Sequence, residues 1–456
     1  MKKYFKSIAA ITMASVMTLG IASSAMAGQY TVVKGDCLWK IAPKFDTTWR
    51  TLANLNKLAN PNLIFPGQVL EVPDVEPAAP VETAPVVETP ATPVVAPVEK
   101  AELTGLGVKD ISMTGVKLVP DFSPEVTDYT LNVQDDIYGV MVTPTAAKGV
   151  ISVDGAEVKS GDGTVVKLAQ DYDHYAIDYS VTTEIKVVNG SAEKTYKVTI
   201  NRANAKAAYA LFKELSYTDK ETGLTLPYEL YVPSNYDATK SYPVVFVLHG
   251  AGQRTQTTDM LLRRYQSATI WATDSEAGIN QCIVVSPQCN KAEGTGWTDL
   301  MKILDKVDTT ADPYALSDYA KTAYNILHQV EGQYNCNLKK VYMTGLSMGG
   351  FGSFALAIAH PDEFAAIVPI CGGADPTKVA TLKGGPAIWI FHSKDDPTVD
   401  FATYEQPTLD ALDKAGISYK STIYAPGEVF YPSAHFAWTP AYANKEMRTW
   451  LFEQSK

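Results

Sequence analysis

VYMTGLSMGG, residues 341–350, decides how the last 250 or so residues of this chain fold. Residues 341–344 are a short apolar run of the kind that forms a buried strand. A stretch with helical character, 348–360, follows at once, so Gly345-Leu-Ser-Met-Gly349 has to turn the chain between the two. A G-x-S-x-G pattern by itself says little. A strand in front and a helix behind give it the strand, turn and helix setting in which a serine is lifted above a sheet edge. Gly345 and Gly349 remove Cβ atoms that would clash in so sharp a reversal. Ser347 then stands at a helix N-terminus, whose partial positive charge favours an anion. These features make Ser347 the candidate nucleophile.

Outward from this turn, strands alternate with helices from about residue 206 onward, the pattern of a mostly parallel sheet covered on both faces. Two antiparallel strands, near Leu215 and at 228–232, precede apolar runs at 244–248, 282–286, 341–344, 365–370, 387–391 and 418–424. Helices are expected at 318–333, 348–360, 404–415 and 442–454. Eight strands in this order fit an α/β-hydrolase fold over 205–456.

A serine hydroxyl attacks only when a base takes its proton, and the base needs a third group to orient it. In the hydrolase order the acid follows the serine and the histidine follows the acid. The run at 387–391 ends in His392-Ser-Lys-Asp-Asp-Pro-Thr-Val-Asp400, which offers Asp395, Asp396 and Asp400 as the acid. Only His435 lies beyond that loop, so it is the expected base. His392 is read as a turn or core histidine, and His328 and His360 as surface residues of helices. Two amides must also face the developing oxyanion. The backbone N–H of Met348 is one. The other is expected from the small-residue loop His249-Gly-Ala-Gly-Gln253, at Ala251 with Gly252 next, while His249 braces that loop.

The blocks YELYVPSNYDATKSYPVVFVLHGAGQ, VVSPQC, VYMTGLSMGGFGSFALAIAHPDEFAAIVPICGGAD, IWIFHSKDDPTV and AHFAW resemble secreted bacterial esterases related to polyhydroxybutyrate depolymerases and feruloyl or acetylxylan esterases. That group is also labelled predicted peptidases. The resemblance implies a serine carboxylesterase, and its H-G-x-x-D-x-x-V pattern, laid over His392 and Val399, selects Asp396 as the acid. Ser393 stands where the group usually has Gly, and Asp400 where Pro is common. A serine peptidase on the same triad, or an inactive hydrolase domain on a wall-binding protein, are the competing readings. The intact Ser347, Asp396 and His435 set argues against the second.

Three segments precede this domain. Residues 1–27 have the basic start, apolar run and Ala25-Met-Ala27 site of a secretory signal peptide. Residues 28–73 read as strand, helix, helix, strand. Their blocks YTVVKGDCLWKIA and NPNLIFPGQVLEVP resemble the LysM module. The resemblance implies binding of peptidoglycan or another N-acetylglucosamine glycan between the loops Gly35, Asp36, Cys37, Leu38 and Pro61, Asn62, Leu63, Ile64. Cys37 stands where Thr is usual. Residues 74–100 are nearly all Pro, Val, Ala, Glu and Thr, a tether able to span up to about 80 Å. Residues 101–204 alternate like strands between Gly, Asp and Asn turns, an all-β sandwich. LTGLGVKD and YKVTINRA make it similar to the cadherin-like sandwich of bacterial secreted proteins, a module expected to act as a spacer. Its aromatic group Tyr172, His174, Tyr175 and Tyr179 is assigned to core or interface.

Composition narrows the partners. Thirty-nine basic against 50 acidic residues leave a net charge of -11, which disfavours nucleic acid and anionic membranes. The five cysteines allow at most two disulfides, and neither they nor the six histidines fall at zinc-site spacing. The expected set is therefore a glycan, an ester substrate, no metal and no cofactor.

Overall fold

The computed structural model describes residues 28–33, 36, 38–45, 47–58, 64–65, 67–73, 99–168, 179–203, 206–255, 257–290 and 292–456. The expected signal peptide, nearly all of the tether, the loop residues Gly35, Cys37, Pro61, Asn62 and Leu63, and Tyr172, His174 and Tyr175 lie outside the described residues, as does the side chain of Tyr179.

The N-terminal unit is built as its sequence periods suggest. Strand β1 (Gly28–Thr31) pairs antiparallel with β2 (Val69–Val72), with Gly28 opposite Val72. Between them come a short helix, Leu38–Ile41, running into a 3-10 turn, Ala42–Phe45, and a second helix, Trp49–Leu55. Thr48 caps the second helix by accepting the Thr51 amide at 3.2 Å, satisfying a donor the helix itself leaves open. Asn56 closes its other end: its amide donates to the Leu52 and Glu71 carbonyls at 2.8 and 2.9 Å and its oxygen accepts from Glu71 N–H. Val32, Leu38, Ile41, Leu52, Leu70 and Val72 form the core.

Among the described residues the sandwich has eight strands: β3 (Gly105–Lys109), β4 (Asp128–Val133), β5 (Gly139–Thr145), β6 (Val150–Val153), β7 (Ala156–Val158), β8 (Thr164–Lys167), β9 (Tyr179–Asn189) and β10 (Ala192–Arg202). They form a five-stranded sheet in the order β4-β10-β9-β6-β7 and a three-stranded sheet β3-β5-β8. Alternation sends Tyr196, Val198 and Ile200 of β10 inward, all fully buried.

The remaining strands are β11 (Lys213–Thr218), β12 (Thr225–Tyr231), β13 (Tyr242–Leu248), β14 (Ile283–Pro287), β15 (Cys336–Leu346), β16 (Ala366–Ile370), β17 (Ala387–Ser393) and β18 (Lys420–Tyr424). They form one sheet in the order β11-β12-β14-β13-β15-β16-β17-β18. β11 pairs antiparallel with β12, and β12 with β14; every other pair is parallel. Buried on both faces, β13, β14 and β16 read as continuous apolar runs. The expected helix at 404–415 starts later, at Gln406, because a π-helical turn, Phe401–Glu405, precedes it. The expected helix at 442–454 is two: Trp438–Ala443 and Lys445–Glu453, separated at Asn444, whose side chain caps the second.

The sandwich packs against the domain that follows it. One hydrophobic core runs from Leu103, Ile137 and Val140 of the sandwich through Tyr265, Phe436 and Trp438 of the hydrolase domain. The Tyr138 ring meets Phe436 edge-on at 5.7 Å, and Lys109 lies over the Phe430 ring. Gln266 donates a hydrogen bond to Asp135 across the same seam. A Cβ at Gly139 would stand 2.7 Å from the Tyr431 ring, so only glycine lets the two surfaces approach this closely. The hydrolase segment held in this way, 430–436, is the one that carries His435.

Candidate active site

Parallel strands align their carboxyl ends, and the loops that leave those ends meet above the sheet. β15 delivers Ser347, β13 the loop 249–253, β17 the loop 394–400, and the connection after β18 delivers His435. Ser347 has φ 54° and ψ -118°, a conformation that non-glycine residues avoid and that the surrounding turn has to enforce. Its amide donates to the Ile370 carbonyl at 2.8 Å, and its carbonyl receives the amides of Gly350 and Phe351.

The structure brings Ser347, His435 and Asp396 into one hydrogen-bonded line. His435 Nε2 is 2.9 Å from Ser347 Oγ, and His435 Nδ1 is 2.6 Å from Asp396 Oδ2. Beside an ionised carboxylate Nδ1 carries the proton, which leaves the Nε2 lone pair facing the serine hydroxyl. The second oxygen of Asp396 accepts the Thr398 and Val399 amides at 2.8 and 2.9 Å. Burial pushes the Asp396 carboxyl up, but hydrogen bonds from His392 and His435 hold it well below the usual carboxylate range. The other two loop carboxylates are engaged elsewhere: Asp395 accepts from Ser393 Oγ and the Gly427 amide, and Asp400 caps Thr403. The His435 ring rests edge-on against Trp438 at 5.0 Å.

The amides of Met348 and Ala251 each open a helical turn, where no intrahelical acceptor exists. The two turns are adjacent: a Cβ built on Gly250 would lie 3.6 Å from Ser347 Cβ. His249 braces the loop. It is fully buried, its Nδ1 donates to the Gly250 carbonyl at 2.8 Å, and its Nε2 accepts the Cys289 amide at 2.9 Å. Burial lowers its pKa to about 4, so the ring is neutral. Gln253 reaches back to the Gly250 amide and donates to the Met260 and Arg264 carbonyls. Gln288 Nε2 donates to the Gln253 carbonyl, and Trp297 Nε1 to that of His249. Gln253 and Gln288 escaped sequence reasoning, although HGAGQ and SPQC display them as polar residues beside buried strands.

Of the aromatic residues near the site, Trp297 and Trp438 are core, and Tyr431 packs on the sandwich. From the segment 292–317, Tyr314, Ala315 and Leu316 join Phe351, Ile358 and Gly373 around a mostly apolar cavity of about 350 Å³. It begins one helical turn beyond Ser347. His328 meets the Tyr324 ring edge-on at 4.4 Å, and His360 stacks on that ring at 4.0 Å. Among the described residues two groups bring possible metal donors together: Cys371 with Asp396 and His435, and His328 with Glu331 and Glu363. In the first, burial together with Asp396 and Glu405 pushes the Cys371 thiol far up, and Asp396 and His435 are already bonded to each other in the line to Ser347. In the second, His328 Nδ1 is paired with Glu331 at 2.7 Å. The four described cysteines, Cys282, Cys289, Cys336 and Cys371, are free thiols.

In the N-terminal unit, Asp36 accepts from the Tyr30 hydroxyl at 2.8 Å and the Val33 amide at 2.9 Å. Those bonds brace its loop. Leu38 turns its side chain into the small core, leaving only backbone for a ligand, and Ile64 packs against the same core.

Residues 30–73 match the LysM domain, 104–203 the cadherin-like beta sandwich domain, and 220–421 the putative esterase family. A probable feruloyl esterase C of Aspergillus flavus is 28% identical over 177 residues, which are 38% of this chain and 56% of that protein. This chain therefore spans little more than half of that relative's length. A secreted LysM effector of Passalora fulva is 52% identical over 46 residues, 10% of this chain and 20% of the effector. Among solved structures a thermostable esterase superposes with a TM-score of 0.52 at 24% identity, over 72% of this chain and 99% of its own, a likeness of fold.

Proposed function

We propose that this chain, which joins a LysM domain, a cadherin-like sandwich and an α/β-hydrolase esterase domain, is a secreted serine carboxylesterase held at the cell wall. The observation that carries this reading is the line from Ser347 Oγ through His435 to Asp396, at 2.9 and 2.6 Å. Ser347 Oγ attacks the ester carbonyl while His435 Nε2 takes its proton. The amides of Met348 and Ala251 receive the oxyanion. His435 then returns the proton to the departing alkoxide, leaving an acyl group on Ser347. Water, deprotonated by the same nitrogen, attacks that acyl group, and the carboxylic acid leaves as Ser347 regains its proton. Asp396 orients His435 and offsets its charge throughout. These steps use side chains and amides of the chain alone.

Acyl or feruloyl esters of polysaccharides are the proposed substrates, in keeping with the feruloyl esterase named among the relatives. The experiment is turnover of a panel of short-chain p-nitrophenyl esters, methyl ferulate, acetylated xylan and chromogenic peptides. Hydrolysis of esters with peptides untouched is expected; cleavage of peptides alone would hand the site to the peptidase reading.

The LysM domain supports a second element of the proposal, binding to an N-acetylglucosamine glycan such as peptidoglycan. Protein lacking residues 28–73 is expected to stay in the supernatant when insoluble peptidoglycan is spun down, while the full chain pellets with it. Equal pelleting of both would remove the wall-anchoring role. The signal-peptide pattern of 1–27 supports export, and no described helix is long and apolar enough to cross a membrane.

A further inference from the structure

Behind Asp396 lies a second histidine that the catalytic cycle above does not use. His392, near the end of β17, has no exposed surface. Its Nδ1 is 3.0 Å from Glu405 Oε2; its Nε2 is 2.9 Å from the Val399 carbonyl oxygen and 3.4 Å from Asp396 Oδ2. Glu405, on the π-helical turn, is buried as completely. A carbonyl oxygen and an ionised carboxylate can only accept, so a ring placed between them has to donate from both nitrogens. A neutral imidazole has one N–H, so beside an ionised Glu405 it would leave one of these contacts as a repulsion between lone pairs. Two buried carboxylates without a cation between them would also be strongly destabilising.

We propose that His392 is a standing imidazolium, clamped by Glu405, that keeps Asp396 ionised and moderates the basicity of His435. In kinetics this role rests on the esterase reading; the charge state of His392 does not. His392 and Glu405 are positioning residues, since neither touches the serine. Among the described residues, the other titratable groups that bear on the cluster supply no further positive charge apart from His435 itself. The Cys371 thiol is pushed up by burial and stays neutral, and so do the hydroxyls of Tyr314 and Tyr419 on the Glu405 side. Burial by itself would lower the His392 pKa, but its bonds to Asp396 and Glu405 raise it to about 9. Burial raises Glu405, and His392 opposes that rise.

The sign of the kinetic effect follows from the charges. In His392→Gln the cation nearest Asp396 is gone, and the Asp396 carboxylate acts on His435 unopposed. Loss of that opposing charge favours protonated His435, so the acid limb of the pH profile of kcat/KM moves to higher pH. A merely structural role would lower the rate without moving the limb.

The test has two arms on the full chain. In the first, histidine labelled with nitrogen-15 is observed by NMR between pH 7 and 8, and the His392 signals are assigned by their loss in His392→Gln. Two protonated ring nitrogens are expected; one bare nitrogen at pH 7 overturns the proposal. Where His392→Gln does not fold, Glu405→Gln supplies the assignment, because it changes the acceptor at Nδ1. In the second arm, ester hydrolysis by His392→Gln is followed across pH, and an unmoved acid limb overturns the proposal. If the wild-type chain turns over no ester, the esterase reading fails while the NMR arm still decides the charge on His392.

Discussion

Ser347→Ala lowers kcat for a short-chain p-nitrophenyl ester by roughly 10⁴- to 10⁶-fold, and His435→Ala lowers it as far. Magnitudes of this order come from removing members of a triad that act as a unit, so the double variant loses little more than either single one. The hydrogen bond of 2.9 Å between Ser347 Oγ and His435 Nε2 is the reason for the equivalence. Without the ring the hydroxyl keeps its proton; without the hydroxyl the ring has no proton to take. Asp396→Asn leaves the shape intact, but its amide can donate to Nδ1 and stabilise the wrong tautomer, at a cost of about 10⁴-fold. The Ser347→Ala protein, which leaves the buried pair of His435 and Asp396 intact, should melt close to the wild type in calorimetry, which separates lost chemistry from lost folding. A Ser347→Ala protein with ester hydrolysis within tenfold of wild type would end the proposal.

The fold was legible where one period dominates a segment. The apolar runs of β13, β14 and β16 have no partner reading as loops, and the helix Asp318–Gln333 keeps a helical period through 16 residues. The turn at Ser347 could be read because strand, glycine and helix signals fall within ten residues. The chain order of acid and histidine could be read because few histidines were on offer. Long-range packing was not visible in this way. Nothing local to Tyr138, Gly139 or Phe436 says that a sandwich residue will press on the loop that carries His435, since each is an ordinary apolar or small residue in its own strand or turn. Glu405 reads as a helix residue; only the π-helical turn aims it at His392. The roles of Gln253 and Gln288 also depend on partners 7 to 39 residues away in sequence. Separations of that kind are set by the folded chain and not by any sequence window.

Gly349→Ala is expected to destabilise the chain by about 3 kcal/mol, lowering Tm by roughly 6–12 °C for a domain of this size. One methyl group does this because of where it would stand. A Cβ on Gly349 would lie 1.9 Å from the Leu248 carbonyl oxygen and 2.6 Å from its carbonyl carbon. Both are backbone atoms at the end of β13, pinned by pairing of β13 with β15, so no side-chain rotation relieves the overlap. Either the helix start or the strand end has to move, and each carries one of the two amides assigned to the oxyanion: Met348 on the helix, Ala251 just beyond the strand. A displacement of about 1 Å there costs on the order of 10²-fold in rate, so activity drops in the fraction that folds. Gly332→Ala is the matching control. It lies within the helix Asp318–Gln333, where an added Cβ meets nothing within 4 Å, so the better helix propensity of alanine should stabilise by up to about 1 kcal/mol. The same chemical change thus raises Tm at one glycine and lowers it sharply at the other. Equal melting of the two variants, with ester hydrolysis retained in Gly349→Ala, would mean that the serine turn is not built on the approach between Gly349 and Leu248.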